Sequence, residues 1–573
     1  MGESVHNRRL VVLAAFVAAG VGIATSGTAQ AAAPSSKPAS PAANAVGLDA
    51  IKQLPAKTYD SAADRTVVTA KPGARAAAPA QGAPAAAPLS ATIGIGLRAT
   101  LTSAHGVDLE TQLTPSATGT VAVTIAWGDG TSDTFNAGIA GGGLDKRVTK
   151  HKYTSTGRYD VKVTATDTAN AVEATNTLSL ETLGSEFTPV APARLLDTRW
   201  GVGAPAAKVP ARGTVALKID GAGQIPAGVD AVVLNVTVTN ATADGHVSVQ
   251  PTKTLAETAE TSNLNFVAGQ TVPNLVVATV GYDGYVYLFN SSFQSVDLLA
   301  DVTGYFAAKA ASGYKSVTQT RVVDTRSAIG APLGQVPGLS SFDVQMTGRN
   351  GVPAGVTAVA VNLTATGPQD AGHLIAYPTG QAVPTTSNLN FTGGQTVANA
   401  AIVPVGADGK ITIRNGSWKP TDVVLDIVGY YTPASRSALV PIGKPLRLLD
   451  TRLPDGSGKP TPITARNYIA LSLEGDTTTP RFDGYVFNTT VTNTAGPGFL
   501  SVNPDPNFWS AYLNGTAVTP DRPVSSTLNW TAGQTVPNLT QSSSGKGSVI
   551  DFWNQGWQNA DLLVDLQAYY ESN

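Results

Sequence analysis

A six-residue motif that occurs three times constrains this chain more than any other feature. Arg194-Leu195-Leu196-Asp197-Thr198-Arg199 returns as Arg321-Val322-Val323-Asp324-Thr325-Arg326 and as Arg447-Leu448-Leu449-Asp450-Thr451-Arg452. The aspartates are 127 (324 − 197) and 126 (450 − 324) residues apart. Asn235 returns at Asn362 and Asn488. Ser262-Asn263-Leu264-Asn265-Phe266 returns at 387–391 and, more loosely, at 526–530, where Thr527 replaces the first Asn. Gly269-Gln270-Thr271-Val272 returns at Gly394 and Gly533. Each unit closes on an aspartate and two aromatics: Asp301 with Tyr305-Phe306, Asp426 with Tyr430-Tyr431, Asp565 with Tyr569-Tyr570. A period of about 120 residues is too long for a propeller blade or a solenoid turn, so each unit is expected to be a self-sufficient domain. The units span 186–308, 313–433 and 438–573.

Helical periodicity is absent from these units. Across 232–238 the even positions are all aliphatic and the odd ones mixed, and 359–365 shows the same phase. Period two with one strongly apolar face reads as strand. Asp283-Gly284 and Asp408-Gly409 add hairpin signals. About eight strand candidates in the first unit predict a jelly-roll-like β-sandwich. The fold class is all-β and multidomain: an Ig-like sandwich followed by three jelly-roll-like sandwiches.

The Ig-like expectation comes from residues 89–184. Trp127-Gly128-Asp129-Gly130-Thr131 makes a tight turn after an alternating run, and His151-Lys152-Tyr153 precedes Gly157-Arg158-Tyr159-Asp160-Val161-Lys162-Val163. Two motifs in this order resemble a PKD domain, which implies a spacer or an aid to carbohydrate and surface binding. Asp129 reads as a turn former, with a calcium ligand as the alternative. The repeats, with R-L-L-D-T-R opening, S-N-L-N-F core and D-V-x-G-Y-F close, resemble a tandem module of exported proteins of high-GC Gram-positive bacteria. That resemblance implies an extracellular, non-catalytic module.

Residues 1–31 read as a secretory signal: Arg8 and Arg9, an apolar run over 10–24, and Ala29-Gln30-Ala31 as the cleavage site. Sec export is the default, with the twin-arginine route and an uncleaved anchor as alternatives. Residues 32–88, rich in Ala and Pro, read as a semi-extended linker. Within it, 46–59 is a candidate short helix or pro-segment. The protein is expected to be secreted, extracellular or held non-covalently at the cell surface, with no membrane span after signal cleavage. There are no cysteines, charged residues make up only 14%, and the net charge is −2, so nothing points to nucleic acid.

Chemistry has few candidates. There are five histidines, and His246 and His373 occupy equivalent places that Phe499 takes in the third unit. A general base cannot be exchanged for phenylalanine, so these read as packed or rim histidines. Asp297 and Asp301, four apart on a strand, share a face, as do Asp422 with Asp426 and Asp561 with Asp565. Glycosidases use two carboxylates, so an Asp-pair hydrolase is the remote alternative. The expectation is structural: one Asp of each pair meets an arginine of the opening motif, such as Arg199. That gives Asp197, Arg199 and Asp301 in the first unit, Asp324, Arg326 and Asp426 in the second, and Asp450, Arg452 and Asp565 in the third. Calcium at these carboxylates is the other reading. No catalytic residue, metal or cofactor is expected.

One signal points to a ligand. A polar hairpin recurs as Asn290-Ser291-Ser292-Phe293, Asn415-Gly416-Ser417-Trp418 and Asn554-Gln555-Gly556-Trp557. Its aromatic lies four residues before the first Asp of each pair (297 − 293, 422 − 418, 561 − 557). Such an aromatic either folds back over the sandwich edge or stands free to stack on sugar rings. Phe293, Trp418, Trp557 and Trp509, the last in an insertion of the third unit, are the candidate ligand-binding residues. A polysaccharide or cell-wall glycan is the partner this favours, and a scaffold for extracellular protein partners is the alternative. Trp530 stands where Phe266 and Phe391 stand and is expected in the core.

Overall fold

The computed structural model describes residues 57–61, 67–70, 91–140, 143–454, 460–475, 477, 480–543 and 545–572. The signal segment and most of the proposed linker lie outside these residues. Among the described residues the Ig-like sandwich has nine strands: β1 (Thr58–Asp60), β2 (Val67–Ala70), β3 (Ile93–Leu101), β4 (Gly106–Pro115), β5 (Gly119–Ala126), β6 (Ser132–Ile139), β7 (Asp145–Lys152), β8 (Arg158–Asp167) and β9 (Val172–Glu181). Its sheets have the orders β1-β3-β4-β7 and β2-β9-β8-β5-β6. The linker expectation is corrected here, because β1 pairs with β3 and β2 with β9 as edge strands. Thr58, Tyr59 and Asp60 are strand, not helix; an edge needs only a few residues of backbone pairing and no apolar pattern. In the core Trp127 is fully buried, donates Nε1–H to Asp133 (2.8 Å) and stacks on His151 at 4.4 Å.

The first repeat contributes β10 (Glu186–Asp197), β11 (Thr214–Lys218), β12 (Ala231–Thr239), β13 (Gly245–Gln250), a single-turn helix α1 (Lys253–Glu257), β14 (Leu264–Phe266), β15 (Val272–Thr279), β16 (Tyr285–Asn290) and β17 (Asp297–Ala307). Two antiparallel sheets, β10-β17-β12-β15 and β11-β16-β13-β14, make a jelly roll, and the other two repeats reproduce this order strand for strand. On β12 the even positions Val232, Leu234, Val236 and Val238 enter the sandwich core with Leu288, Leu298 and Ala300. Each such burial stabilises by about 1.5–3 kcal/mol.

The repeats are not separate beads. Odd positions Ala231 and Val233 of β12, with Val277 and Phe306, share an apolar cluster with Ala360, Ile402 and Tyr431 of the second repeat and Val486, Leu539 and Tyr570 of the third. The glycine of the closing motif is explained here by close approach. A Cβ at Gly304 would lie 2.2 Å from the Phe187 ring, and one at Gly429 2.3 Å from Tyr314 Oη. Asparagines close the ring below this cluster. Asn399 donates to Asn235 Oδ1 (3.0 Å) while Asn235 donates to Ser387 O (2.5 Å). Asn538 and Asn362 repeat the exchange with Ser526, and Asn274 and Asn488 repeat it with Ser262. First meets second, second meets third, and third meets first: a pseudo-threefold ring within one chain.

Asn399 is fully used. It also donates to Asn388 O (2.6 Å) and accepts from Leu275 N (3.3 Å). Asn399→Ala would orphan buried groups on two repeats, each costing about 1–3 kcal/mol. Urea unfolding of that variant should show a loss on the order of 3 kcal/mol. A loss indistinguishable from zero would mean that the asparagine ring does not hold the repeats together.

The Ig-like sandwich is fastened to one end of this ring. Ala104 N donates to the buried Glu571 carboxylate (2.8 Å) and Arg481 Nη2 to Thr102 O (2.8 Å). Where the chain leaves the sandwich, Ser185 N donates to Leu439 O of the third repeat (2.9 Å).

Candidate functional site

Each repeat carries an aromatic at the hairpin preceding its closing strand, and an asparagine organises that hairpin. Asn290, buried, donates Nδ2–H to Val209 O (3.3 Å), Pro210 O (2.9 Å) and Gln294 O (2.9 Å), and its Oδ1 accepts from Ser292 N (3.0 Å). Asn415 does the same with Val336, Pro337, Lys419 and Ser417. Asn554 does so with Ile463, Thr464, Gln558 and Gly556. With the amide satisfied below, the next apolar residue has no core to enter. Phe293, Trp418 and Trp557 are 81%, 79% and 76% exposed. The structure resolves the two readings of these aromatics in favour of the exposed one.

A neighbour that the motif reading missed supports two of the tips. Arg212 lies 6.0 Å from the Phe293 ring centre and Arg466 4.9 Å from that of Trp557. Leu339 takes the place in the second repeat. All three have left-handed backbone, with φ of 54°, 56° and 58°. The signal was available, since these positions share the 127-residue spacing (339 − 212, 466 − 339). His246, His373 and Phe499 serve the hairpins through backbone oxygens, accepting from Ser291 N, Gly416 N and Gln555 N. Burial lowers the pKa of both histidines. The side chain is not what the hairpin uses, which is why phenylalanine can replace histidine.

Each tip stands just before the start of its closing strand, as Phe293 precedes β17. Near the far end of the closing strands Phe306, Tyr431 and Tyr570 join the cluster shared by the repeats, and in the third repeat Glu571 there receives the Ig-like sandwich. Eleven residues of strand separate the two ends, roughly 35 Å. The tips thus occupy equivalent positions in the three repeats, each at the start of its closing strand.

Trp509 is a correction. It is 8% exposed and packs with Tyr468, Tyr512 and Trp553. The insertion folds back as a one-turn helix (Trp509–Leu513) over the sandwich, so its apolar side chains close a satellite core. Trp530 is buried in the core, as expected.

The acidic residues form buried networks, with a change of partner from the expected one. Arg194 sits opposite Asp301 in the β10–β17 register and donates to both its oxygens (2.8 and 3.0 Å), and to Asp197 (3.1 Å). Arg199 does not reach Asp301. It follows the strand end, where Asp197 accepts both its backbone N–H (3.1 Å) and its guanidinium (2.9 and 2.7 Å). Arg321 bridges Asp426 and Asp324 in the same way, with Arg326 on Asp324. Arg447 bridges Asp565 and Asp450, with Arg452 on Asp450. Asp297, Asp422 and Asp561 each accept a threonine hydroxyl, from Thr198, Thr325 and Thr451. Hydrogen bonds from Arg199 and Arg326 hold Asp197 and Asp324 below the usual carboxylate range. Burial pushes Asp301, Asp426 and Asp565 above it, against the pull of the facing arginine. These pairs are occupied by arginine rather than open to a substrate. Asp129 is likewise engaged, accepting from Thr131 N (2.9 Å) and Oγ1 (2.6 Å) and from His151 (2.9 Å).

What fold and site define is a multidomain all-β protein: one Ig-like sandwich and a ring of three jelly rolls presenting aromatic hairpin tips. A PKD-domain model matches residues 96–180, the stretch read as PKD-like from its motifs. No curated protein matches the chain. Among solved structures, it is similar to the M60 catalytic domain with the CBM51-1 and CBM51-2 domains from Clostridium perfringens ZmpB. That likeness has 10% identity and a TM-score of 0.13, and covers 84% of this chain and 55% of that one. The chain thus spans about half the length of that structure, and at this TM-score the likeness carries no argument. No helix among the described residues is long and apolar enough to cross a membrane.

Proposed function

We propose that the protein is a non-catalytic, exported attachment protein that holds a glycan-bearing surface through Phe293, Trp418 and Trp557. One observation carries the reading: three aromatics at equivalent hairpin tips, each more than three-quarters exposed, on three repeats packed into one ring. An aromatic face offers apolar contact to a sugar ring, and the Arg212 and Arg466 guanidiniums beside two of the tips donate to its hydroxyls. A single such contact is weak, but three fixed on one body act together on a repetitive surface, gaining about 100-fold or more by avidity. The signal-like segment and the likeness of the repeats to modules of exported proteins support the location. The buried Arg–Asp networks support a role without catalysis.

The test is a pull-down of the chain on purified cell walls and insoluble polysaccharides, beside the triple variant Phe293→Ala/Trp418→Ala/Trp557→Ala. The variant should lose about 100-fold or more in apparent affinity. Its stability should change by less than about 0.5 kcal/mol per site, because the side chains are solvent-exposed. Equal retention of wild type and variant on every surface would overturn the reading and direct attention to protein partners.

A further inference from the structure

The seam between the third and first repeats opens into two adjoining cavities of about 290 and 240 Å³. Glu260 and Arg447 line both, so the two form one cleft. Together they fall within the roughly 300–1,000 Å³ of small-ligand sites. The cleft has an apolar wall, Leu255 of α1 facing Leu446 and Leu453 of the third repeat. It also has unsatisfied polarity. Gln250 is 2% exposed, and its Oε1 has no hydrogen-bond partner among the described residues. Lys444 and Glu260 take part in no ion pair among the described residues. The second cavity adds hydroxyl and amide groups from Thr490, Thr492 and Asn265.

We infer that this cleft is a binding site for a short neutral oligosaccharide, separate from the hairpin tips. Charge excludes an ionic ligand as the natural fit. Three cations (Lys444, Arg447, Arg452) stand against three anions (Glu260, Asp450, Asp565), and the arginines are already committed to the two aspartates. What remains is an alternation of acceptors and donors beside an aliphatic wall. A polyhydroxylated ring matches this: its hydroxyls donate to Glu260 and its C–H face packs on the leucines. Its glutamate is not repeated, since residue 260 corresponds to Thr385 in the second repeat and Val524 in the third, counting from Ser262, Ser387 and Ser526. The inference rests on the proposed function for its ligand class, but shares no residue with the tips.

Calorimetric titration of the full chain with cellotetraose, chitotetraose, maltotetraose and mannotetraose tests it. The variants are Glu260→Ala, Leu453→Trp and the triple-tip variant. Leu453 is 60% exposed at the cleft wall, so the larger ring narrows the entrance without entering a core. At least one tetrasaccharide should bind, with affinity lowered about tenfold or more by each cleft variant and unchanged in the triple-tip variant. The inference is overturned if none of the four binds at up to about 10 mM, or if the cleft variants keep full affinity. Tetrasaccharide binding that survives in a triple-tip variant still able to hold cell walls would overturn the tip reading and leave the cleft standing. Binding lost only in the triple-tip variant would overturn the cleft and leave the tips.

Discussion

Arg321→Met is expected to lower the unfolding free energy by about 3–5 kcal/mol, the cost of stripping a buried carboxylate of its cation. Arg321 donates twice to Asp426 (2.9 and 3.2 Å) and once to Asp324 (3.0 Å), and Asp426 is fully buried on the closing strand of its repeat. Methionine fills the space of the side-chain stem but satisfies neither oxygen. Arg326→Ala is the informative contrast. Its side chain is 49% exposed and pairs only with Asp324, so solvent screening reduces the cost to about 1 kcal/mol or less. The double variant Arg321→Met/Asp426→Leu should recover much of the loss, because an apolar pair of similar volume can replace a buried ion pair without penalty. Urea unfolding of the three variants decides the matter. Equal losses for Arg321→Met and Arg326→Ala would mean that burial does not set the energetics of this motif.

That contrast also shows how far the sequence could be read. The motif's regular recurrence marks an Asp of each pair as the structural partner of an opening-motif arginine such as Arg199, but does not say which of the two arginines pairs. Only strand register brings Arg194 opposite Asp301, and register is invisible until the strands are aligned. The jelly roll was legible because Val232, Leu234, Val236 and Val238 mark one apolar face. The ring was not, because Ala231, Val233 and Asn235 on the other face look like an ordinary half-exposed strand. Their true environment is another repeat more than a hundred residues away. The tips were legible as polar hairpins with a lone aromatic, and their exposure follows from the buried asparagine beneath them. Trp509 misled because an insertion reads as loop, whereas Tyr468 and Trp553 on the neighbouring strands supply a surface for it to cover.

The same insertion creates the largest expected pH effect. Asp551 occupies the strand place held by Tyr287 and Thr412 in the other repeats, counting back three residues from Asn554, Asn290 and Asn415. It is 1% exposed, its Oδ1 has no hydrogen-bond partner among the described residues, and burial, with the nearby Asp505 carboxylate adding repulsion, pushes its pKa up to about 8. The unfolded chain would ionise it near 3.9. Below that pH both states hold the proton and Asp551 costs nothing. As pH rises toward 8 the unfolded state releases the proton while the folded state keeps it, so stability falls by up to about 1.4 kcal/mol per pH unit. Above about 8 both states are ionised and the loss levels off. Asp551→Asn keeps the shape and removes the titration. The two proteins should therefore unfold at similar urea concentrations near pH 4. At pH 8 the variant should be more stable by a few kcal/mol. Parallel stability–pH curves for the two proteins would show that Asp551 is ionised within the folded repeat, and that the satellite core of Trp509 and Tyr512 does not exclude water from it.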